Sequence, residues 1–151
     1  MPASTRYSIN GYVEQVSDVA VPRADVREPA DVLKLVADIA DKRKEYLVAL
    51  YLSAMSQLIA RETIAVGSLN VARATPRDIL EPALRHLATT IILSHNHPSG
   101  VAEPSEDDVA FTRSIGRACD LMGVSLADHV VVAGTNHVSL RARGIVWSAR
   151  S

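Results

Sequence analysis

The spacing of apolar positions along the chain predicts an alternation of helices and strands. After Pro29, apolar residues recur every three or four positions, which predicts a helix over 29–42. A second helix is expected to begin at Thr75-Pro76, and a third, strongly amphipathic helix to run from Ser105 to Gly123. Apolar or alternating runs that predict strands lie at 46–52, 57–66, 89–93, 124–134 and 137–140.

This alternation predicts an α/β (α+β) domain in which helices cover a central sheet. The segment 57–66 has the pattern of a hairpin partner for 46–52. We place the domain at residues 29–148. Residues 1–28 are mixed in composition and predict an N-terminal arm or an edge strand.

Composition narrows the classes of function. The 151 residues include 16 basic and 17 acidic side chains, which gives a formal net charge of −1. A near-neutral chain is not typical of proteins that bind mainly by neutralising phosphates. Only 4% of the residues are aromatic, so stacking platforms for single-stranded nucleic acid are scarce.

Cys119 is the single cysteine, which excludes an internal disulfide and a zinc site built from thiolates. A chain without disulfides is typical of a reducing compartment. The N-terminus lacks the apolar core of a signal peptide, and no run approaches the ~20 apolar residues of a membrane span. We therefore expect a cytoplasmic protein without membrane contact, in which any metal is held by histidine and carboxylate.

The strongest chemical signal is the pair His95 and His97 at the end of the apolar run 89–93. Strand residues two apart point to the same side, so a strand that continues to 97 presents two imidazoles together. The next helix carries acidic residues in its first turn, and either Asp107 or Asp108 could return towards the histidines. Two imidazoles and one carboxylate suit Zn²⁺ and leave a fourth position for water, whose pKa zinc lowers to about 7.

Simpler interpretations exist for the acidic turn, and for two further polar residues that could belong to such a site, Glu45 and His129. Ser105 followed by Asp108 matches a capping box, which needs no metal. Glu45 belongs to a charged run that could be an ordinary solvated surface. His129 could orient a metal ligand, although a histidine on a strand is more often a packing residue.

The string His95-Asn96-His97-Pro98, followed by Ser105-x-x-Asp108, resembles the zinc signature of the JAB/MPN (JAMM) metalloprotease superfamily, and its fuller form resembles the bacterial RadC branch. The resemblance covers about residues 28–146 and includes four further matches outside this string. These are Gly67-Ser68-Leu69-Asn70, Pro76-Arg77-Asp78, Asp128-His129-Val130, and Ser139 with Gly144.

The resemblance implies an MPN/JAB-like (cytidine-deaminase-like) fold, with a mixed sheet flanked by helices. It implies a zinc-dependent peptidase or isopeptidase that cleaves peptide or isopeptide-linked protein. His95, His97 and Asp108 would be the ligands of one Zn²⁺ ion per chain. Ser105 would stabilise the oxyanion, and Glu45 would act as general base, with Glu62 as the alternative.

A second hypothesis is an accessory protein of DNA repair or mobile elements, associated with nucleic acid and without hydrolase activity. It depends on the repair label of the family and not on charge. Longer relatives carry a helix-hairpin-helix DNA-binding region, and we expect this chain to be a short single-domain form without one. The sequence leaves open the substrate and whether the chain forms a homodimer.

Overall fold

A computed structural model describes residues 23–67 and 74–148 in full, and the backbone of two strands that precede them. Those strands, β1 (Ser4–Tyr7) and β2 (Val13–Val16), pair with each other antiparallel in a separate two-stranded sheet. Ser68–Asn70, part of the family-like segment that begins at Gly67, lie outside the described residues.

The main body contains helices and strands in alternation, as the apolar pattern predicts. In chain order the elements are α1 (Pro29–Leu35), a 3₁₀ helix (Ala37–Ile39), β3 (Glu45–Leu52), β4 (Leu58–Gly67), α2 (Pro76–Arg85), β5 (Thr90–Asn96), α3 (Glu106–Met122), β6 (Ser125–Ala133) and β7 (Asn136–Ser139). Among the described residues, no helix has both the length and the apolar character needed to cross a membrane.

The five strands β3–β7 form one mixed sheet in the order β4-β3-β5-β6-β7. Only β5 and β6 pair parallel, and α3 lies in the connection between them, as a parallel pair requires. Strand β3 runs antiparallel to β5, with Leu47 opposite His95. This register places the beginning of β3 beside the end of β5. The architecture confirms the predicted mixed sheet flanked by helices.

Helices cover both faces of the sheet, and each face has its own apolar core. Alternate strand residues such as Leu47, Leu93 and Val131 pack with α2 and α3. The intervening residues, such as Ile92 and Val130, pack against α1 on the opposite face. Burial on both faces explains why these strands are continuous apolar runs.

The predicted helix over 29–42 is wrong in its second half. The α-helix ends at Leu35, and Val36 leaves the helical conformation before a short 3₁₀ helix begins. Arg61 of β4 donates to the Leu35 carbonyl at 2.9 Å and forms two 2.7 Å contacts with the Asp38 carboxylate. A distant side chain thus satisfies a carbonyl at the helix end, which apolar spacing alone cannot indicate.

Candidate metal centre

The two histidines of the signature occupy the end of β5 on the face covered by α3. His95 is fully buried and follows Leu93 at strand spacing, whereas His97 retains 15% side-chain exposure. The His97 amide donates to the Val132 carbonyl of β6 at 2.9 Å, so the sheet pairing continues one residue past β5. The two Nε2 atoms lie 2.9 Å apart. The structure therefore brings both imidazoles to one point, as their spacing predicts.

The turn after His97 fixes the orientation of its ring. His97 Nδ1 lies 2.9 Å from the Val101 carbonyl, which can only accept, so Nδ1 carries a proton and donates. Gly100 in this turn has φ +86°, a left-handed conformation that favours glycine and lets the chain fold back. In the neutral imidazole, Nε2 then presents its lone pair to the centre.

Asp108 comes to the histidines from the first turn of α3. Its carboxylate oxygens lie 3.3 Å from His95 Nε2 and 3.1 Å from His97 Nε2. Burial disfavours ionisation of Asp108, but the contacts of its carboxylate with the two imidazoles and with the Ser105 amide outweigh burial and hold its pKa well below the ordinary value. Asp108 also stabilises the protonated form of His97 and so raises the pKa of that histidine, against the effect of burial. The lowered pKa of Asp108 and the raised pKa of His97 both indicate that the cluster favours a positive charge at its centre.

Ser105 and Asp108 also form the capping box that their spacing predicts. The Asp108 amide donates to Ser105 Oγ at 3.0 Å, and the Ser105 amide donates to the Asp108 carboxylate at 2.9 Å. The cap holds the Asp108 carboxylate against the helix start, where it reaches the imidazoles. Ser105 Oγ accepts in this bond, so its own proton stays available for a second partner. Asp107, the neighbouring acid, is exposed.

Glu45 begins β3 and lies on the same side of the sheet as His95, because Leu47 pairs with His95 and Glu45 is two residues earlier. Its Oε1 atom is 4.0 Å from Nε2 of each histidine. One ligand atom from each of Glu45, His95 and His97 lies within 4.8 Å of the others, so these three residues form a candidate metal-binding trio.

The carboxylates of Asp108 and Glu45 therefore approach the same pair of imidazoles, but at different distances. Zinc–nitrogen bonds of about 2.0–2.1 Å in a tetrahedron place neighbouring ligand atoms about 3.3 Å apart. The two Nε2 atoms are 2.9 Å apart, and Asp108 approaches them with different oxygens, Oδ1 at 3.3 Å from His95 and Oδ2 at 3.1 Å from His97, so each distance is close to that spacing. The 4.0 Å distances from Glu45 Oε1 to the same two Nε2 atoms are longer, so Glu45 would lie beside an ion that His95, His97 and Asp108 hold. The donor set fits zinc.

Asn96, between the two histidines, faces the other side of the sheet and holds the chain around Glu45. The Tyr46 amide donates to Asn96 Oδ1 at 2.6 Å, and Asn96 Nδ2 donates to the Lys44 carbonyl at 2.9 Å. Asn96 is fully buried. These bonds tether both neighbours of Glu45 to the strand that carries the histidines. No sequence pattern indicates these contacts, because Asn96 is 50 residues from Tyr46 and 52 residues from Lys44.

Glu62, the alternative general base, has different surroundings. It lies on β4 opposite Ala49, four residues beyond Glu45 along β3. Its carboxylate is 3.4 Å from the Arg85 guanidinium and 3.6 Å from His86, both at the end of α2. The geometry thus brings Glu45 to 4.0 Å from the imidazoles of His95 and His97, and it places Glu62 against Arg85 and His86.

The Asp128-His129 pair divides between the two faces of β6. Asp128 accepts from the Ser139 hydroxyl at 2.6 Å and from the Arg141 amide at 3.1 Å, so it ties β6 to the segment after β7. His129 points the other way, and its Nε2 lies 2.7 Å from Nδ1 of His95. Burial lowers the pKa of His129 well below its usual value, so this histidine is neutral.

Comparison with known proteins agrees with this architecture. Residues 26–145 match the family described as the RadC-like JAB domain, and the chain belongs to that family. It is 47% identical over 108 residues to a UPF0758 protein of Streptococcus gordonii, covering 72% of this chain and 48% of the relative. UPF0758 proteins of Streptococcus uberis and Streptococcus suis are 40% and 43% identical over 114 and 108 residues, which are 76% and 72% of this chain. The chain spans only 50% and 44% of those two proteins, so it matches about half the length of these curated relatives.

Proposed function

We propose that this domain is a zinc-dependent hydrolase of the peptidase or isopeptidase type. The observation that carries the proposal is the convergence of His95 Nε2, His97 Nε2 and the Asp108 carboxylate within 3.3 Å of one another, with the Glu45 carboxylate 4.0 Å from both imidazoles. Membership of the JAB family, which includes metalloisopeptidases, supports the same class of reaction.

His95, His97 and Asp108 would hold the ion. Zinc held there would act as a Lewis acid and would activate a water molecule near neutral pH. Glu45 takes a proton from the attacking water as the oxygen adds to the substrate carbonyl carbon. When the C–N bond breaks, Glu45 returns this proton to the leaving amine. Ser105 keeps its hydroxyl proton available while its oxygen caps α3, so it can donate to the developing oxyanion.

The proposed substrate is a peptide or an isopeptide-linked protein in a reducing compartment such as the cytoplasm. This compartment is proposed from the single, buried Cys119, whose thiol pKa burial raises to about 12. A thiol with so high a pKa is a poor nucleophile, so Cys119, the single cysteine of the sequence, is not suited to catalysis as a thiolate.

Metal analysis followed by a substrate screen tests the proposal. Protein purified without chelator is expected to contain close to one zinc per chain, and to cleave a fluorogenic peptide or a lysine ε-linked isopeptide. Chelation should stop the cleavage, and added zinc should restore it. A preparation that neither contains nor takes up zinc would contradict the proposal.

Replacing Asn96 with aspartate should reduce turnover while leaving zinc bound. The carboxylate of the variant cannot donate to the Lys44 carbonyl, which lies 2.9 Å from Asn96 Nδ2, so the chain that carries Glu45 shifts. A misplacement of about 1 Å costs about 10²-fold in rate. We expect kcat/KM to fall about 10- to 100-fold. Asn136→Asp, at an exposed position of β7, is the matched control. Unchanged kcat/KM in a folded Asn96→Asp protein would show that Asn96 does not position Glu45.

A further inference from the structure

A chain of three buried polar side chains extends from the metal centre into the core. His95 Nδ1 lies 2.7 Å from His129 Nε2, and His129 Nδ1 lies 2.6 Å from Thr112 Oγ1. Thr112 Oγ1 is 2.7 Å from the Asp108 backbone carbonyl one turn earlier on α3. His95, Thr112 and His129 are all fully buried, so no solvent competes for these bonds.

The number of available protons sets the direction of each hydrogen bond among His95, His129 and Thr112. The Asp108 carbonyl can only accept, so the single hydroxyl proton of Thr112 is donated to it. If that proton went to His129 instead, two oxygens would face each other at 2.7 Å with no proton between them. Thr112 Oγ1 must therefore accept from His129 Nδ1–H, and His129 Nε2 is left with a lone pair.

The next bond follows from the same argument. His129 Nε2 has a lone pair, so it accepts from His95 Nδ1–H. His95 is then the tautomer without a proton on Nε2, and this atom presents its lone pair to His97 and Asp108. A metal-binding imidazole needs that tautomer at the ligand nitrogen.

We infer that His129 and Thr112 are positioning residues that preset His95 as a metal ligand. This inference rests on the proposed zinc function and deepens it. The hydrogen bonds among His95, His129 and Thr112 fix both the tautomer and the orientation of the His95 ring in the metal-free protein. The bond from His95 Nδ1–H to His129 also increases electron density at Nε2, which strengthens its bond to a metal. Neither residue touches the reacting atoms.

A structural role for His129 alone would also account for its burial, since its ring packs 6.5 Å from that of Phe111. The two roles predict different behaviour for two substitutions. His129→Leu keeps an apolar side chain of similar size but removes the acceptor. His129→Gln places an amide oxygen near the position of Nε2, so it can still accept from His95.

The experiment measures zinc affinity by competition with a chromophoric chelator in the full chain and both variants. We expect His129→Leu to weaken zinc binding about 10- to 100-fold, and His129→Gln to recover most of that loss. Urea unfolding of each protein without metal measures the structural contribution separately. A folded His129→Leu protein with zinc affinity within about twofold of the parent would overturn the inference.

Nitrogen-15 NMR of the histidine rings tests the tautomer directly and needs neither zinc nor activity. In the metal-free parent protein, His95 should show a protonated Nδ1 and an unprotonated Nε2. The opposite pattern would overturn the inference even if the protein hydrolyses peptides. If His129→Leu does not fold, Thr112→Val provides a second variant, in which a methyl group replaces the hydroxyl. We expect it to shift the ring signals of both His129 and His95. Unshifted signals would overturn the inference. Failure of the parent to bind zinc would instead contradict the proposed function.

Discussion

Replacing His97 with alanine should remove zinc from the protein and abolish hydrolysis. Two protein ligands would remain, His95 and Asp108. Structural zinc sites bind with about 10–16 kcal/mol in total, which is about 2.5–4 kcal/mol for each of four ligands and about 10²–10³-fold in affinity. Metal content after gel filtration, and competition with a chelator, measure this loss.

Two matched pairs of variants make this prediction specific. His137→Ala removes an exposed histidine on β7 and should leave zinc content unchanged. Asp108→Asn should weaken zinc binding, whereas Asp107→Asn should not, because Asp108 is buried against the imidazoles and Asp107 is exposed. Full zinc content in both His97→Ala and Asp108→Asn would refute the proposed ligand set.

Replacing Glu45 with glutamine should abolish turnover while zinc stays bound. A glutamine amide cannot accept the proton of the attacking water, and loss of a general base costs about 10²–10⁴-fold in rate. The 4.0 Å distances from Glu45 to both imidazoles are longer than those of Asp108, so zinc should not depend on Glu45. The measurements are kcat/KM on the cleaved substrate and zinc content of the same preparation.

Glu62→Gln provides the comparison for this prediction. The Glu62 carboxylate contacts Arg85 and His86, so its loss should lower stability but leave the turnover of folded protein intact. If Glu62→Gln lost turnover and Glu45→Gln did not, the two roles would be reversed. If Glu45→Gln lost its zinc, Glu45 would be a ligand, and the trio of Glu45, His95 and His97 would be the metal site.

Much of the fold was predictable because its signals are local. Thr75 and Ser105 cap α2 and α3 through bonds to residues three positions later, and Gly123 ends α3 with φ +71°. Strands β3, β5 and β6 follow largely apolar runs because helices cover both faces of the sheet. The 29–42 helix was overextended because its end depends on Arg61, which the fold brings from β4.

The amino-acid sequence alone predicts the pair of imidazoles, since residues two apart on a strand share a face. It also determined the capped acidic turn of α3, since capping is local to one turn. Which acidic side chains meet the histidines depends on the fold. The antiparallel register of β3 with β5 brings Glu45 to the centre, and the cap of α3 directs Asp108 there. The fold also places Asn96 against the backbone on both sides of Glu45, and His129 against His95. These contacts join residues distant along the chain, and their geometry is set by strand register and helix packing, which no local pattern encodes.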